Sequence, residues 1–241
     1  MGRIVLTTDE TLTSTYHDVP PLLDFLGCAP YDKLPKWVFR FFDTQLPDEN
    51  GVLTQAPPYG LRKVEAALLR DGFRRDEVVV THPRKIEKFI GNDTTVVALY
   101  EMDPLGLGGP VSMMFTNGGK WTNYTKVKFL GLVERINRIR EGKKLDFKLV
   151  VGGPGAWQVD FRKEERERLK IDHVVIGEVD HVVGELFREI ESGSADETIF
   201  IRGGWPRVEQ IPTIVAPSYK GLVEVMRGGC GRGAVASASR I

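Results

Sequence analysis

Five short apolar runs set the problem that any fold of this chain must solve: RIVLTT (Arg3 to Thr8), EVVVTH (Glu77 to His82), TVVALYE (Thr95 to Glu101), FKLVVGG (Phe147 to Gly153) and DHVVIGE (Asp172 to Glu178). They are rich in β-branched residues and almost continuously apolar, so they read as strands that need cover on both faces. The cover lies between them. GLRKVEAALLRDGF (Gly60 to Phe73), YTKVKFLGLVERINRIREG (Tyr124 to Gly142), FRKEERERLK (Phe161 to Lys170) and HVVGELFREIESG (His181 to Gly193) carry helical patterns. Leu61, Val64, Ala67 and Leu68 in the first, and Val127, Leu130, Val133 and Ile136 in the second, recur at helical spacing. Gly72 and Gly142 stand where left-handed caps would end these two helices. Parallel neighbours require crossovers, so the alternation predicts a flavodoxin-like, Rossmann-like α/β fold: a five-stranded parallel sheet with helices on both faces.

Two segments break the rhythm. Residues from about 10 to 58 hold seven of the fourteen prolines together with KWVFRFFD (Lys36 to Asp43). Loops beyond about 15 residues in a compact domain are usually functional or disordered, and the density of aromatic residues argues for an ordered, aromatic and proline-rich insertion after the first strand. From Ser194 onward the chain offers one further possible strand, ETIFIRG, then proline-rich coil and a terminal MRGGCGRGAVASASRI that reads as unfolded. The α/β unit is expected to span residues 1–193. The 33 basic and 33 acidic side chains cancel, which argues against a nucleic-acid partner. No apolar run approaches the roughly 20 residues needed to cross a bilayer, and MGRIVLTTDE lacks a secretory core, so no membrane partner and a cytoplasmic location are expected.

Ligands of open parallel sheets sit beyond the carboxyl ends of the strands, and three of those ends carry glycines. They are YEMDPLGLGGP (Tyr100 to Pro110) after the third strand, GGPG (Gly152 to Gly155) after the fourth, and IGEVD (Ile176 to Asp180) after the fifth. A missing Cβ suits either close approach of a ligand or a tight turn, and the sequence leaves both open. A dinucleotide is poorly supported: TTDETLTSTYHD follows the first strand without G-x-G-x-x-G, and no P-loop occurs.

The arrangement resembles the cobalamin-binding domain that precedes the catalytic barrel in many radical S-adenosylmethionine enzymes. The resemblance runs from Arg3 to about Cys230. It rests on PPYGLRKVEAALLRDGF, LVVGGPGA, VVIGEVDHVVGELFREI and VEVMRGGCGRG. It implies that Gly152 and Gly153, with Pro154, flank the nucleotide tail of cobalamin. It also implies that Tyr100, Glu101 and Met102, with the loop bearing Gly106 and Gly108, line the pocket near the corrin, and that Gly177 and Glu178 end the last strand beside it. Cys230 corresponds to the first position of the Cys-x3-Cys-x2-Cys motif that holds a [4Fe–4S] cluster.

Two departures shape the expectation. The Asp-x-His-x-x-Gly motif of mutase-type cobalamin domains is absent, with Asp9 and His17 eight residues apart, so no His is expected on the lower face of the corrin. The next two cluster positions hold Ala234 and Ser237, and one thiolate cannot hold a cluster that needs three protein ligands. Residues 194–241 are therefore expected to be a linker and the truncated start of the barrel domain. The chain itself would be a binding module, with the barrel as its partner and with the [4Fe–4S] cluster and S-adenosylmethionine confined to the complete enzyme, commonly a methyltransferase. The alternatives are an α/β protein binding a flavin or nucleotide at the same rim, or a docking domain with an empty pocket. Among the remaining candidates, His82 reads as a loop or capping group and Glu178 as either a hydroxyl partner or a helix cap. Trp121 and Tyr124 read as covers for a planar ligand or as loop packing.

Overall fold

The computed structural model describes residues 2–14, 21–42, 52, 57–201, 206–222 and 224. Strands β1 (Ile4–Thr7), β2 (Val78–Val80), β3 (Val96–Tyr100), β4 (Lys148–Gly152), β5 (His173–Ile176) and β6 (Thr198–Phe200) form one parallel sheet in the order β2-β1-β3-β4-β5-β6. The fold class is the expected one, and the sheet has six strands where five were expected. The added strand is the ETIFIRG segment, so the sheet continues past residue 193. Its absence from the list of apolar runs has a physical cause. β6 has only three residues, two half-buried and Phe200 exposed, so it lacks the continuous buried run that marked the other strands. Arg166, itself buried, fastens it by donating to the carbonyls of Asp172 (2.8 Å) and Glu197 (2.6 Å) and to Thr198 Oγ1 (2.8 Å).

The pleat sorts alternate residues to opposite faces. Val5, Val97, Leu99, Leu149 and Val151 pack beneath α4 (Tyr124–Gly142) and α5 (Ala156–Phe161). Ile4, Leu6, Val96, Ala98, Val150 and Val175 face α2 (Tyr59–Arg70) and α7 (Val183–Ser192). The remaining helices are α1 (Lys36–Phe42), α3 (Gly109–Phe115) and α6 (Lys163–Arg168). The expected helix over Phe161 to Lys170 is two short ones, α5 and α6, separated at Arg162, whose ψ of 66° is not helical. Gly72 caps α2 as expected, with φ 95° and the Phe73 amide reaching the Leu68 carbonyl. Gly142 does not cap α4. The helix runs through it, and the left-handed residue is Lys144 (φ 52°), with the Leu145 amide donating to the Arg140 carbonyl.

The insertion is ordered where it is described. Tyr31, Phe39 and Tyr124 stack together with centroids 4.4 to 5.7 Å apart. The Tyr124 amide donates to Ala29 and that of Tyr31 to Thr122, which ties the insertion to the start of α4. Among the described residues no helix is long and apolar enough to cross a membrane.

Candidate functional site

Strand order reverses between β1 and β3, the switch point at whose carboxyl rim the crevice of open α/β sheets lies. Two acids meet there. Asp9 follows β1 and Glu101 follows β3, and both are wholly buried. The Asp9 amide donates to Glu101 Oε1 (3.2 Å), and Asp9 Oδ1 accepts from the Thr11 amide (2.6 Å). Among the described residues no other group hydrogen-bonds to Asp9 Oδ2 or Glu101 Oε2, and the two carboxyls hydrogen-bond to each other when one is protonated. Burial raises the Asp9 carboxyl above its usual range. Burial first, and the charge of Asp9 second, push Glu101 well above its usual range. Two ionised carboxylates in one dry pocket are costly, so the pair retains a proton.

Beside this crevice lies a cavity of about 1000 Å³ between the sheet and the α2/α7 layer. Leu6, Ala98, Val150 and Val175 form its floor, and Leu61, Val64, Leu186 and Phe187 its roof. Its mouth opens at the rim between Tyr100, Met102, Gly152 and Glu178. Small residues make the room. Ala98 is the one small side chain among the residues of β3, and a Cβ added at Gly152, opposite Tyr100 in the register, would meet nothing within 4 Å. The Tyr100 ring in turn lies across Gly60 of α2, where an added Cβ would stand 2.3 Å from it. Burial, with the charges of Glu101 and Glu178, pushes the Tyr100 hydroxyl up to about 12.

The expected site residues divide into two groups. Tyr100, Met102, Gly152, Gly153, Pro154, Gly177 and Glu178 line the cavity. Glu101, Gly106 and Gly108 do not: Glu101 is engaged with Asp9, and the two glycines serve their own loop. Asp103 gathers that loop, accepting from the Gly108 amide (2.7 Å), Gln158 Nε2 (2.7 Å), Asn123 Nδ2 (3.2 Å) and the Ser112 hydroxyl. A Cβ at Gly106 would press on Asn123, and one at Gly108 on Gln158, each at 2.8 Å.

The fourth strand end resolves in a similar way. Gly153 has φ 93°, and a Cβ there would lie 2.6 Å from the Glu101 carbonyl oxygen. The neighbour that forbids a side chain at residue 153 is therefore the backbone after β3, while the bare strand end facing the cavity is Gly152. His82 caps the turn that follows it, Nδ1 accepting from the Arg84 amide (3.2 Å). Tyr124 is buried in the aromatic cluster with Ala29 and Phe39. His17 and Cys230 lie outside the described residues. Among the described residues no group of three metal-ligating side chains is found.

Sequence reasoning passed over Asp9 as a partner of Glu101, and Ala98 and Gly60 as the residues that make space. The signals were present: an acid within two residues of each of two strand ends, and one alanine in a run of larger side chains. Comparison with known proteins gives no match: no family model fits the chain, and no curated protein or solved structure is significantly similar to it.

Proposed function

We propose that the chain is a cobalamin-binding module that serves a radical S-adenosylmethionine enzyme, commonly one that transfers a methyl group. The single observation that carries the reading is the apolar cavity between the sheet and α2/α7, open at the carboxyl rim beside Gly152. Its volume and lining suit a flat heteroaromatic nucleotide tail, and buried aromatic area provides the binding free energy. The residues fit the group. Gly152 leaves the opening clear, Ala98 and Val150 give a smooth floor, and Glu178 stands at the mouth as an acceptor for a ligand hydroxyl. Met102 and Trp157, both on the lining and both partly exposed, supply an apolar shelf for the face of a corrin.

Bound in its methylated form, cobalamin would supply a methyl group for transfer. The chain's own contribution is to bind the tail, exclude water from it and orient the ring over the rim. The acid pair speaks against the rival reading. Flavin and nucleotide phosphates in such folds are held at the switch crevice by amides of a glycine-rich turn after the first strand, whereas this crevice holds Asp9 and Glu101.

Incubation with hydroxocobalamin followed by gel filtration tests the proposal. Corrin absorption bands should travel with the protein. Corrin that elutes entirely free, or a flavin spectrum on the purified protein, would refute it.

A further inference from the structure

The cavity has one wall that belongs to neither the sheet nor a helix of the α/β layers. Residues 206–222 and 224 run back along α2, and Tyr219, Leu222 and Glu224 line the cavity. This strap is gripped by side chains of α2 acting on its main chain. Arg70 donates to the carbonyl of Gln210 (2.5 Å), Lys63 to that of Pro212 (2.7 Å) and Arg62 to that of Pro217 (2.8 Å). Lys63 also reaches the Glu224 carboxylate at 3.5 Å, and the Tyr219 amide donates to the Pro57 carbonyl (2.9 Å) just before α2 begins. Apart from two short 3-10 turns, Val208–Gln210 and Tyr219–Gly221, the strap has no regular structure. It adds no strand to the sheet.

A segment held by a few charge-assisted clamps, with little regular structure of its own, opens at lower cost than the layers it covers. The roof helices α2 and α7, by contrast, are built into the core through Leu61, Leu68, Leu186 and Phe187. The cheapest way to widen the cavity is to lift the strap.

We propose that the strap of residues 206–222 and 224 is a side gate that widens the cavity beyond its mouth at the rim, and that Lys63, which grips it at both Pro212 and Glu224, sets how often the gate opens. The proposal rests on the cobalamin reading only in taking this cavity as the ligand's place. Opening exposes the floor at Ala98 without disturbing the α4/α5 face of the sheet, so the two faces serve as reporter and control.

The test uses the full chain with Cys28→Ser and Cys230→Ser and a single new thiol, Ala98→Cys in the cavity floor or Val133→Cys on the opposite face. Reaction with a water-soluble aromatic disulfide is timed with and without Lys63→Met, and again with Arg70→Met, which removes a more exposed clamp. Each change should accelerate labelling at residue 98 by about tenfold, the loss of one charge-assisted hydrogen bond from the closed state, and leave residue 133 unchanged. Equal rates at residue 98 with and without the clamps would overturn the gate, and so would equal acceleration at both positions, which would mean general loosening. Adding hydroxocobalamin separates the two claims. Protection of residue 98 supports the ligand reading, while labelling that is gated but unprotected refutes cobalamin and leaves the gate standing.

Discussion

A side chain at residue 152 would enter open space, and one at residue 153 would strike the backbone of residue 101. Gly152→Val should therefore leave the fold intact and abolish cobalamin binding by filling the mouth. Gly153→Val should cost about 1–3 kcal/mol of stability from its left-handed backbone, with any loss of binding following the loss of structure. Thermal unfolding and cobalamin affinity measured on the same preparations distinguish the two, and wild-type affinity in a folded Gly152→Val protein would contradict the site. The acid pair makes a prediction in pH. Because the folded state raises the Glu101 carboxyl well above its ordinary 4.5, the proton it holds favours the folded state. That contribution is fully present below the unfolded value and is lost as pH rises through the folded one. Glu101→Gln should flatten the decline of melting temperature above about pH 5 and raise it at pH 8; parallel curves for parent and variant would contradict this. The glycines were legible in the sequence as marks of close approach. Which neighbour comes close was not, because residue 153 is crowded by residue 101 only once β3 and β4 lie side by side.

At the scale of elements, legibility followed burial. The five strands with both faces covered announced themselves as continuous apolar runs, and each lies where its run predicted. β6 gave only the weaker signal of Thr198 to Phe200, three residues of which none is fully buried. Its attachment depends on a cation within the charged FRKEERERLK run. Arg166 is buried and feeds three carbonyls and a hydroxyl around the β5/β6 edge. Arg166→Leu should cost about 1–3 kcal/mol through the acceptors it leaves unpaired. Amide exchange should quicken across residues 197–200 while β1 and β3 keep their protection. Unchanged exchange at β6 would show that strand pairing alone holds the edge. The end of α4 teaches a related lesson: glycine marked a cap correctly at residue 72, but at residue 142 the helix ran on and Lys144 took the left-handed turn.

At the scale of the molecule, the sequence carried the fold class and the glycine-bearing strand ends at the carboxyl rim. The cavity was beyond its reach, because it exists only through the distance at which α2 and α7 stand off from the sheet. That stand-off is set by Ala98 and Gly152 below and by the Tyr100 ring against Gly60 at the mouth. The proposed ligand lies in this layer and nowhere else. The most direct test is methyl NMR on the full chain during titration with hydroxocobalamin. Resonances of Ala98, Val150 and Leu61, which line the cavity, should shift or broaden while those of Val97, Leu149 and Val133, on the opposite face, stay in place. Unchanged cavity methyls under saturating cofactor, or shifts confined to the opposite face, would contradict it.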